Sequence, residues 1–377
     1  MIAIIKFWTR CGCVKSKYAK LKDEIKSWIL QGKVVPHEKI GTETEFMAMF
    51  DVSRHTVRQA IGDLEKEGWI YRKQGRGTFC SVPPIRVNPA QGTRTIGVIT
   101  TYISDYIFSS IMRGIESQLS HMDYTMILAS TNNNIEKERK CIESILMRNV
   151  DAIIVEPTKS ALYNPNINYF LNLENHAVPY VMLNAIYPQL RGPCLRMDEE
   201  KGGFIATEHL IQLGHTKIAG IFKSDDIQGV NRMNGFIQAH RKYNLPILPG
   251  FIIAYDTEGQ RQTIEREIRD LLDSQKYEVT AMFCYNDAVA LNIINILREF
   301  GLKVPHDVSV IGYDDSYLAE MSEIKLTSIA HPKRKMGTDA AKLIVDIIEG
   351  KIADPHNQSV IYPPQLVVRT STCKVNE

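Results

Sequence analysis

From Thr95 onward the chain alternates short, almost unbroken apolar runs with longer segments of helical period, and few folds tolerate that rhythm. The runs read "TIGVITT", "YTMILAS", "DAIIVEP", "VPYVMLN", "KIAGIF", "FIIAY", "TAMFCYN" and "DVSVIGYDD". Helical segments fall between or after them at 111–119, 136–147, 203–213, 228–240, 262–272, 288–299 and 336–348. A strand that is apolar at odd and even positions alike has no face to offer water, so it must be covered on both sides. Alternation with helices supplies that cover through βαβ units and makes the sheets parallel. A stretch of about 280 residues of this kind is large for one core and predicts two α/β lobes.

In parallel sheets, ligands gather in the loops beyond the C-terminal strand ends. Here those loops carry Thr100, Thr101 and Tyr102 through Asp105, Tyr106, Ile107 and Phe108, then Glu156-Pro157, Asn184-Ala185, Asn286-Asp287 and Tyr313-Asp314-Asp315. Any one such Asp or Asn ordinarily caps the next helix. Five loops together bring carboxylates, amides and aromatic rings to where hydroxyls can be bound and an apolar sugar face can stack. A small-molecule site of the sugar-binding kind is therefore expected. Catalysis has no such support. The chain has no Walker A motif, no G-x-G-x-x-G after a strand, no H-E-x-x-H and no G-x-S-x-G. Asp314 and Asp315, if adjacent on a strand, face opposite ways and make no acid pair. Cys11-Gly12-Cys13 is too tightly spaced for a zinc pair and has no partner pair nearby. No catalytic residue, cofactor or metal is expected.

The first 82 residues differ in character. They hold fifteen Lys/Arg against nine Asp/Glu, whereas the remainder holds 30 against 34. A small basic head on a mildly acidic body points to a polyanionic partner. Residues 18–31 read as a helix with Leu21, Ile25, Trp28 and Ile29 on one face. "TETEFMAMF" opens a second helix with a capping box, Thr42 and Glu45, and offers Phe46, Met49 and Phe50 to the core. After a turn at Asp51-Val52, Ser53 caps a third helix running to about residue 67, with Val57, Ala60, Ile61 and Leu64 inward. Two helices joined by so short a turn form a helix-turn-helix, whose second helix enters the major groove N-terminus first. That geometry explains why Arg54, His55, Thr56 and Arg58 crowd the front of the third helix, where base edges and phosphates lie. "WIYRKQGRGTFCSV" follows as two strands, 69–72 and 78–82, around Gln74-Gly75-Arg76-Gly77, a basic hairpin suited to the backbone or minor groove.

Pro83 to Arg94 is proline-rich and aperiodic, an extended linker. Mean hydropathy is −0.17 and no long apolar run exists, so no membrane span is expected. Seven scattered cysteines fit a reducing, cytoplasmic setting better than a disulfide framework. The opening "MIAIIKFWTRCGCV" is interrupted by Lys6 and lacks a small-residue cleavage site, so it does not read as a signal peptide. Residues 1–16 are expected to be a disordered extension, with Val14 as an alternative first residue.

The residues quoted for the head, Thr42-Glu43 through Glu45, "VSRHTVRQAI", L-x-x-E-G and G-x-G-T-F, resemble the GntR-type winged helix over roughly 17–82. Two departures stand out: Ile40-Gly41 replaces the usual Leu-Pro, and Cys80 a typical Val. The resemblance implies that Lys17, Arg54, Arg58 and Arg76 contact DNA, with Glu43, His55 and Gln74 as further base or positioning contacts. The body resembles the ligand-binding domain of LacI/GalR-type repressors through "EHLIQLGHTKIAGI", R-x-x-G-F-x-x-A, "CYNDAVAL", "VPHDVSVIGYDD" and "LTSIAHPKRKMG". That resemblance implies ligand contacts at Arg232, Asn286, Asp314 and His331, with Tyr102, Asp105, Tyr106 and Phe108 from one loop, and Glu156 and Asp198 besides. With "TTYISDYIF", "STNNN", "VEPTKSAL" and "RMNGFIQAHR", the pairing of head and body is similar to the arabinose-repressor family of Gram-positive bacteria from Lys17 onward. The expected architecture is an α+β winged helix-turn-helix domain at 17–82, a linker at 83–94, and a two-lobe α/β periplasmic-binding-protein-like domain at 95–372. The resemblance implies a homodimer, with the helix at 109–119 contributing, that holds palindromic operator DNA and is released by L-arabinose. The rival is a sugar-binding protein whose basic head meets another protein.

Overall fold

The computed structural model describes residues 16–73, 76–81, 92–103, 106–175, 178–273 and 278–375. The expected extension before Ser16, most of the linker, and Gln74, Gly75 and Asp105 lie outside the described residues. Contacts group the chain into two compact units, one of residues 1–88 with 146–149 and 168–178, the other of the remainder.

In the head, Ser16 caps α1 (Lys17–Leu30) through its hydroxyl, 3.2 Å from the Ala19 N–H. A short strand, β1 (Lys39–Gly41), leads into α2 (Glu43–Phe50). The Thr42–Glu45 capping box forms in both directions, at 3.3 and 2.7 Å. Asp51 ends α2 in the left-handed region, and Ser53 caps α3 (Arg54–Lys66). Then come β2 (Ile70–Lys73) and β3 (Gly77–Cys80). Leu21, Ile25, Phe46, Val57, Ala60, Ile61 and Leu64 are buried together with Trp69. One expectation fails here. Met49 is 62% exposed, because so short a helix turns only the Phe46–Phe50 line inward. The expected strand pair of the wing forms, β2 antiparallel to β3 with Ile70 opposite Cys80 and Lys73 opposite Gly77, and β1 adds an unexpected third strand on β3, in the order β1-β3-β2.

The body runs β4 (Thr95–Thr100), α4 (Phe108–His121), β5 (Thr125–Ser130), α5 (Ile135–Leu146), β6 (Ala152–Val155), α6 (Ile167–Asn175), β7 (Tyr180–Leu183) and β8 (Cys194–Met197). It continues with α7 (Glu199–Gln212), β9 (Ile218–Lys223), α8 (Ile227–Lys242), β10 (Ile252–Tyr255), α9 (Gln260–Asp273), β11 (Ala281–Cys284), α10 (Asp287–Glu299) and β12 (Ser309–Ile311). Last come α11 (Tyr317–Met321), β13 (Ser328–Ala330), α12 (Lys333–Ile348), β14 (Val360–Tyr362) and β15 (Gln365–Val367). One sheet has six parallel strands, ordered β14-β8-β7-β6-β4-β5; the other has four, ordered β10-β9-β11-β12. β13 and β15 pair antiparallel beside the second sheet. The chain therefore passes between lobes after β8, between β13 and α12, and between β14 and β15.

The apolar runs of β4, β6, β7, β9, β11 and β12 are buried nearly throughout, as strands covered on both faces require. α7 and α8 pack unusually close. A β-carbon on Gly203 would meet the Arg232 carbonyl at 2.2 Å, and one on Gly235 the Glu200 carbonyl at 2.0 Å. These two glycines let the helix carrying Glu199 lie directly on the helix carrying Arg232. No helix among the described residues is long and apolar enough to cross a membrane.

Candidate ligand cleft and nucleic-acid face

The C-terminal strand ends of the two sheets face each other across a cavity of about 250 Å³. On the side of the six-stranded sheet, Glu156 is buried at the end of β6. Its Oε2 accepts from Thr101 N at 2.8 Å, Thr101 Oγ1 at 2.5 Å and Thr100 Oγ1 at 3.0 Å, and its Oε1 from Asn184 Nδ2 at 2.7 Å. Burial raises its pKa, and these bonds work against that rise. The loop after β4 supplies Tyr102 and Phe108, whose rings lie 5.8 Å apart, and Tyr106.

On the opposite side, Arg232 projects from α8 and is 1% exposed. Its Nε donates to Glu199 Oε2 at 2.7 Å, its Nη1 to the Tyr285 carbonyl at 2.6 Å, and its Nη2 to Asp314 Oδ1 at 3.3 Å. The guanidinium lies 3.6 Å from the Tyr313 ring centroid and 4.8 Å from that of Tyr285. Burial opposes its charge, but Glu199 and Asp314 outweigh burial and hold its pKa well above the ordinary arginine value. Asp314 also accepts from the Tyr106 hydroxyl at 2.8 Å, a bond that spans the two lobes. Asp314 and Asp315 have φ of 88° and 44°, and Asn184 62°, so left-handed residues line both walls. Strain of this kind persists where surrounding structure fixes it, typically around ligand sites.

Of the residues singled out from sequence, Tyr102, Tyr106, Phe108, Glu156, Arg232, Asn286 and Asp314 line one cavity. Two do not. Asp198 caps α7, accepting from Lys201 N at 3.1 Å, and faces a separate polar crevice with Arg196 and Glu200. Its carboxylate is spent on the helix start, and Glu199, the next residue, turns inward instead. His331 lies one layer behind the cavity, on the second crossing. Burial pushes its pKa down to about 3, so the neutral ring donates from Nε2 to Asn184 Oδ1 at 3.2 Å. Sequence reasoning missed Asn133, Lys223, Asp226, Gln228, Tyr255 and Tyr285, all lining the cavity. Lys223 and Tyr285 sit at or just past the ends of apolar runs, and the strand-end rule that found Glu156 could have found them.

On the head, Arg54, His55 and Arg58 stand exposed at the front of α3, with Thr56 half-buried beside them. Arg58 Nε lies 3.0 Å from both Glu43 oxygens, and Arg54 Nε lies 3.9 Å from Glu43 Oε2. Lys17 bonds the Asp51 carbonyl at 2.7 Å and carboxylate at 2.8 Å. The Thr56 hydroxyl lies 2.9 Å from that of Ser53, and Arg76 is exposed in the wing.

A winged helix-turn-helix carrying exposed arginines, joined to a two-lobed body with a polar cleft, defines a ligand-responsive transcription regulator. Residues 17–80 match the gntR family of bacterial regulatory proteins, and residues 207–372 match the periplasmic binding protein-like domain. The chain is 49% identical over 366 residues to the arabinose metabolism transcriptional repressor of Halalkalibacterium halodurans, covering 96% of this chain and 98% of that one. It is 47% identical over 360 residues to the repressor of the same description from Geobacillus stearothermophilus, covering 95% and 98%. A LacI family regulator of Enterococcus faecium, solved with bound ribose, superposes with a TM-score of 0.63 at 30% identity, covering 75% of this chain and all of that one. The chain belongs to the family of arabinose metabolism transcriptional repressors, a family of regulators and not of enzymes.

Proposed function

We propose that two copies of the chain hold a palindromic operator through their heads and release it when L-arabinose occupies the cleft between the lobes. The observation that carries the reading is near-half identity to two arabinose metabolism repressors along almost their whole length. The cleft supports it: a cavity of about 250 Å³, lined by carboxylates, amides and tyrosines, matches a small polyhydroxy ligand. The pentose in the Enterococcus faecium structure points the same way.

In this reading, residues 17–82 form the DNA-binding domain, 83–94 the linker and 95–372 the effector-binding and dimerising body. Arg54, Arg58, Lys17 and Arg76 contact the operator. His55, Thr56, Gln74 and Gly75 support or extend that contact, and Glu43 presents the arginines. Glu156, Asn286 and Asp314 bind sugar hydroxyls, with Arg232 fixing Asp314 from behind. Tyr102, Asp105, Tyr106 and Phe108 are further ligand contacts. The test is fluorescence anisotropy of an operator fragment at fixed salt with L-arabinose, D-xylose or D-galactose. Release by L-arabinose alone is the expected result; tight binding that no sugar moves overturns the effector assignment.

A further inference from the structure

Lys223 ends β9 with its side chain in the cavity wall, yet its ammonium makes no hydrogen bond among the described residues. Its nearest charged partners, Asp225 Oδ1 and Asp226 Oδ2, stand 3.6 and 3.8 Å away, beyond hydrogen-bond length. An ammonium has three donors and no acceptor, and in a residue only 6% exposed those donors are left to face the cavity. The charge is nevertheless retained: burial opposes it, but Asp226 and Asp225 outweigh burial and keep the pKa above the ordinary lysine value.

The two aspartates are among the groups on which the lobes meet. Asp226 accepts from Ser160 Oγ at 3.1 Å and from Tyr285 OH at 2.9 Å. Asp225 accepts from Thr257 N at 3.1 Å and lies 3.9 Å from Lys159. Ser160 and Lys159 follow β6 in the lobe of the six-stranded sheet, whereas Asp225 and Asp226 follow β9 in the other lobe. Lys223 thus has cavity on one side and the inter-lobe contact on the other.

We propose that Lys223 is a specificity-determining effector contact, donating to an oxygen of the bound sugar while neutralising the Asp225–Asp226 pair that receives the opposite lobe. A hydroxyl or ring oxygen completes its donor set; a protonated amino group at that position meets a like charge and is rejected. The ligand class is therefore a neutral sugar and not an amino sugar. This inference rests on the sugar-effector reading above.

The full chain, with Lys223→Met and Lys223→Arg variants, is titrated calorimetrically with L-arabinose and its mono-deoxy analogues. Thermal melts monitor folding. Lys223→Met keeps an unbranched side chain one atom shorter and removes the donors and the charge. The expected loss of L-arabinose affinity is about tenfold or more in Lys223→Met and smaller in Lys223→Arg. One deoxy position that weakens binding to the native chain should carry no penalty in Lys223→Met. Equal L-arabinose affinity in Lys223→Met and the native chain, or identical deoxy penalties in both, overturns the proposal. If Lys223→Met fails to fold, deoxy penalties left unchanged in Lys223→Arg overturn it and a changed one supports it. If the native chain ignores L-arabinose but binds D-xylose or D-galactose, the arabinose assignment fails and the same series on that sugar decides Lys223. Binding of none of the three overturns both.

Discussion

Glu43 holds Arg58 through both carboxylate oxygens and keeps Arg54 within reach, so the chain carries its candidate DNA contacts already aimed. An exposed pair of this kind contributes little stability by itself, and its value lies in orientation. Arg58→Ala should weaken operator binding by about 1–3 kcal/mol while leaving sugar affinity unchanged. Anisotropy and calorimetry on the same preparation check both halves; comparable operator affinity removes Arg58 from the interface. Their exposed position was legible because α3 shows its front by composition alone. The cleft was legible only in part, since strand-end position reveals which residues approach the cavity and not where their side chains turn. His331 and Asp198 show the limit: one was drawn behind Asn184 and the other into a helix cap. Asp287 offers a pH test. Burial pushes its carboxyl up to about 7, while bonds from Ser328 and Ser316 favour the anion. The folded chain therefore holds this proton more tightly than the unfolded chain. The stability it contributes is complete below pH about 4 and is lost as pH rises through about 7, with a slope of at most about 1.4 kcal/mol per unit. Asp287→Asn should flatten that decline between pH 5 and 8, even though one Ser316 bond is lost. Urea unfolding at several pH values measures the slope, and an unchanged slope refutes the assignment.

Among elements, the long apolar strands were legible and the short ones were not. β4, β6, β7, β9 and β11 announce themselves because burial on both faces leaves polar residues only at their ends. β1, β13, β14 and β15 span three residues each and lie at sheet margins, where no periodicity can accumulate. α6 and α11 are likewise too short to outweigh the polar residues around them. The α7–α8 contact was hidden for another reason: Gly203 and Gly235 lie in helices, where glycine reads as a weakness. Its use appears only when the helices are seen to touch. Gly235→Ala requires α7 and α8 to separate, because the new β-carbon would stand 2.0 Å from the Glu200 carbonyl. Overpacking of this kind costs about 1–3 kcal/mol. It also draws Glu199 from Arg232 and so loosens Asp314. The expected result is a lower unfolding midpoint together with weaker sugar binding and unaltered operator affinity. A variant that loses stability but keeps its sugar affinity separates the helix contact from the site.

For the whole molecule, the two-lobe body with its three crossings decides how a sugar can affect DNA. Tyr106 reaches from one lobe to Asp314 on the other, and Ser160 reaches Asp226, so the same carboxylates line the cavity and join the lobes. A ligand that engages them favours whichever lobe arrangement keeps them together. If that arrangement suits the operator poorly, binding of sugar and of DNA oppose each other through one free energy, and the opposition is reciprocal. A coupling of about 1–3 kcal/mol corresponds to roughly 5- to 150-fold in either affinity. The factor by which saturating L-arabinose weakens operator binding must therefore equal the factor by which saturating operator weakens L-arabinose binding. Anisotropy gives the first number and calorimetry of the pre-formed complex the second, both at one salt concentration because phosphate contacts are salt-sensitive. Equal factors close the thermodynamic cycle and give the size of the coupling, and a factor of one in both experiments removes it. Unequal factors at equilibrium mean that sugar and operator are not exchanging on a single species, and the two-state account fails.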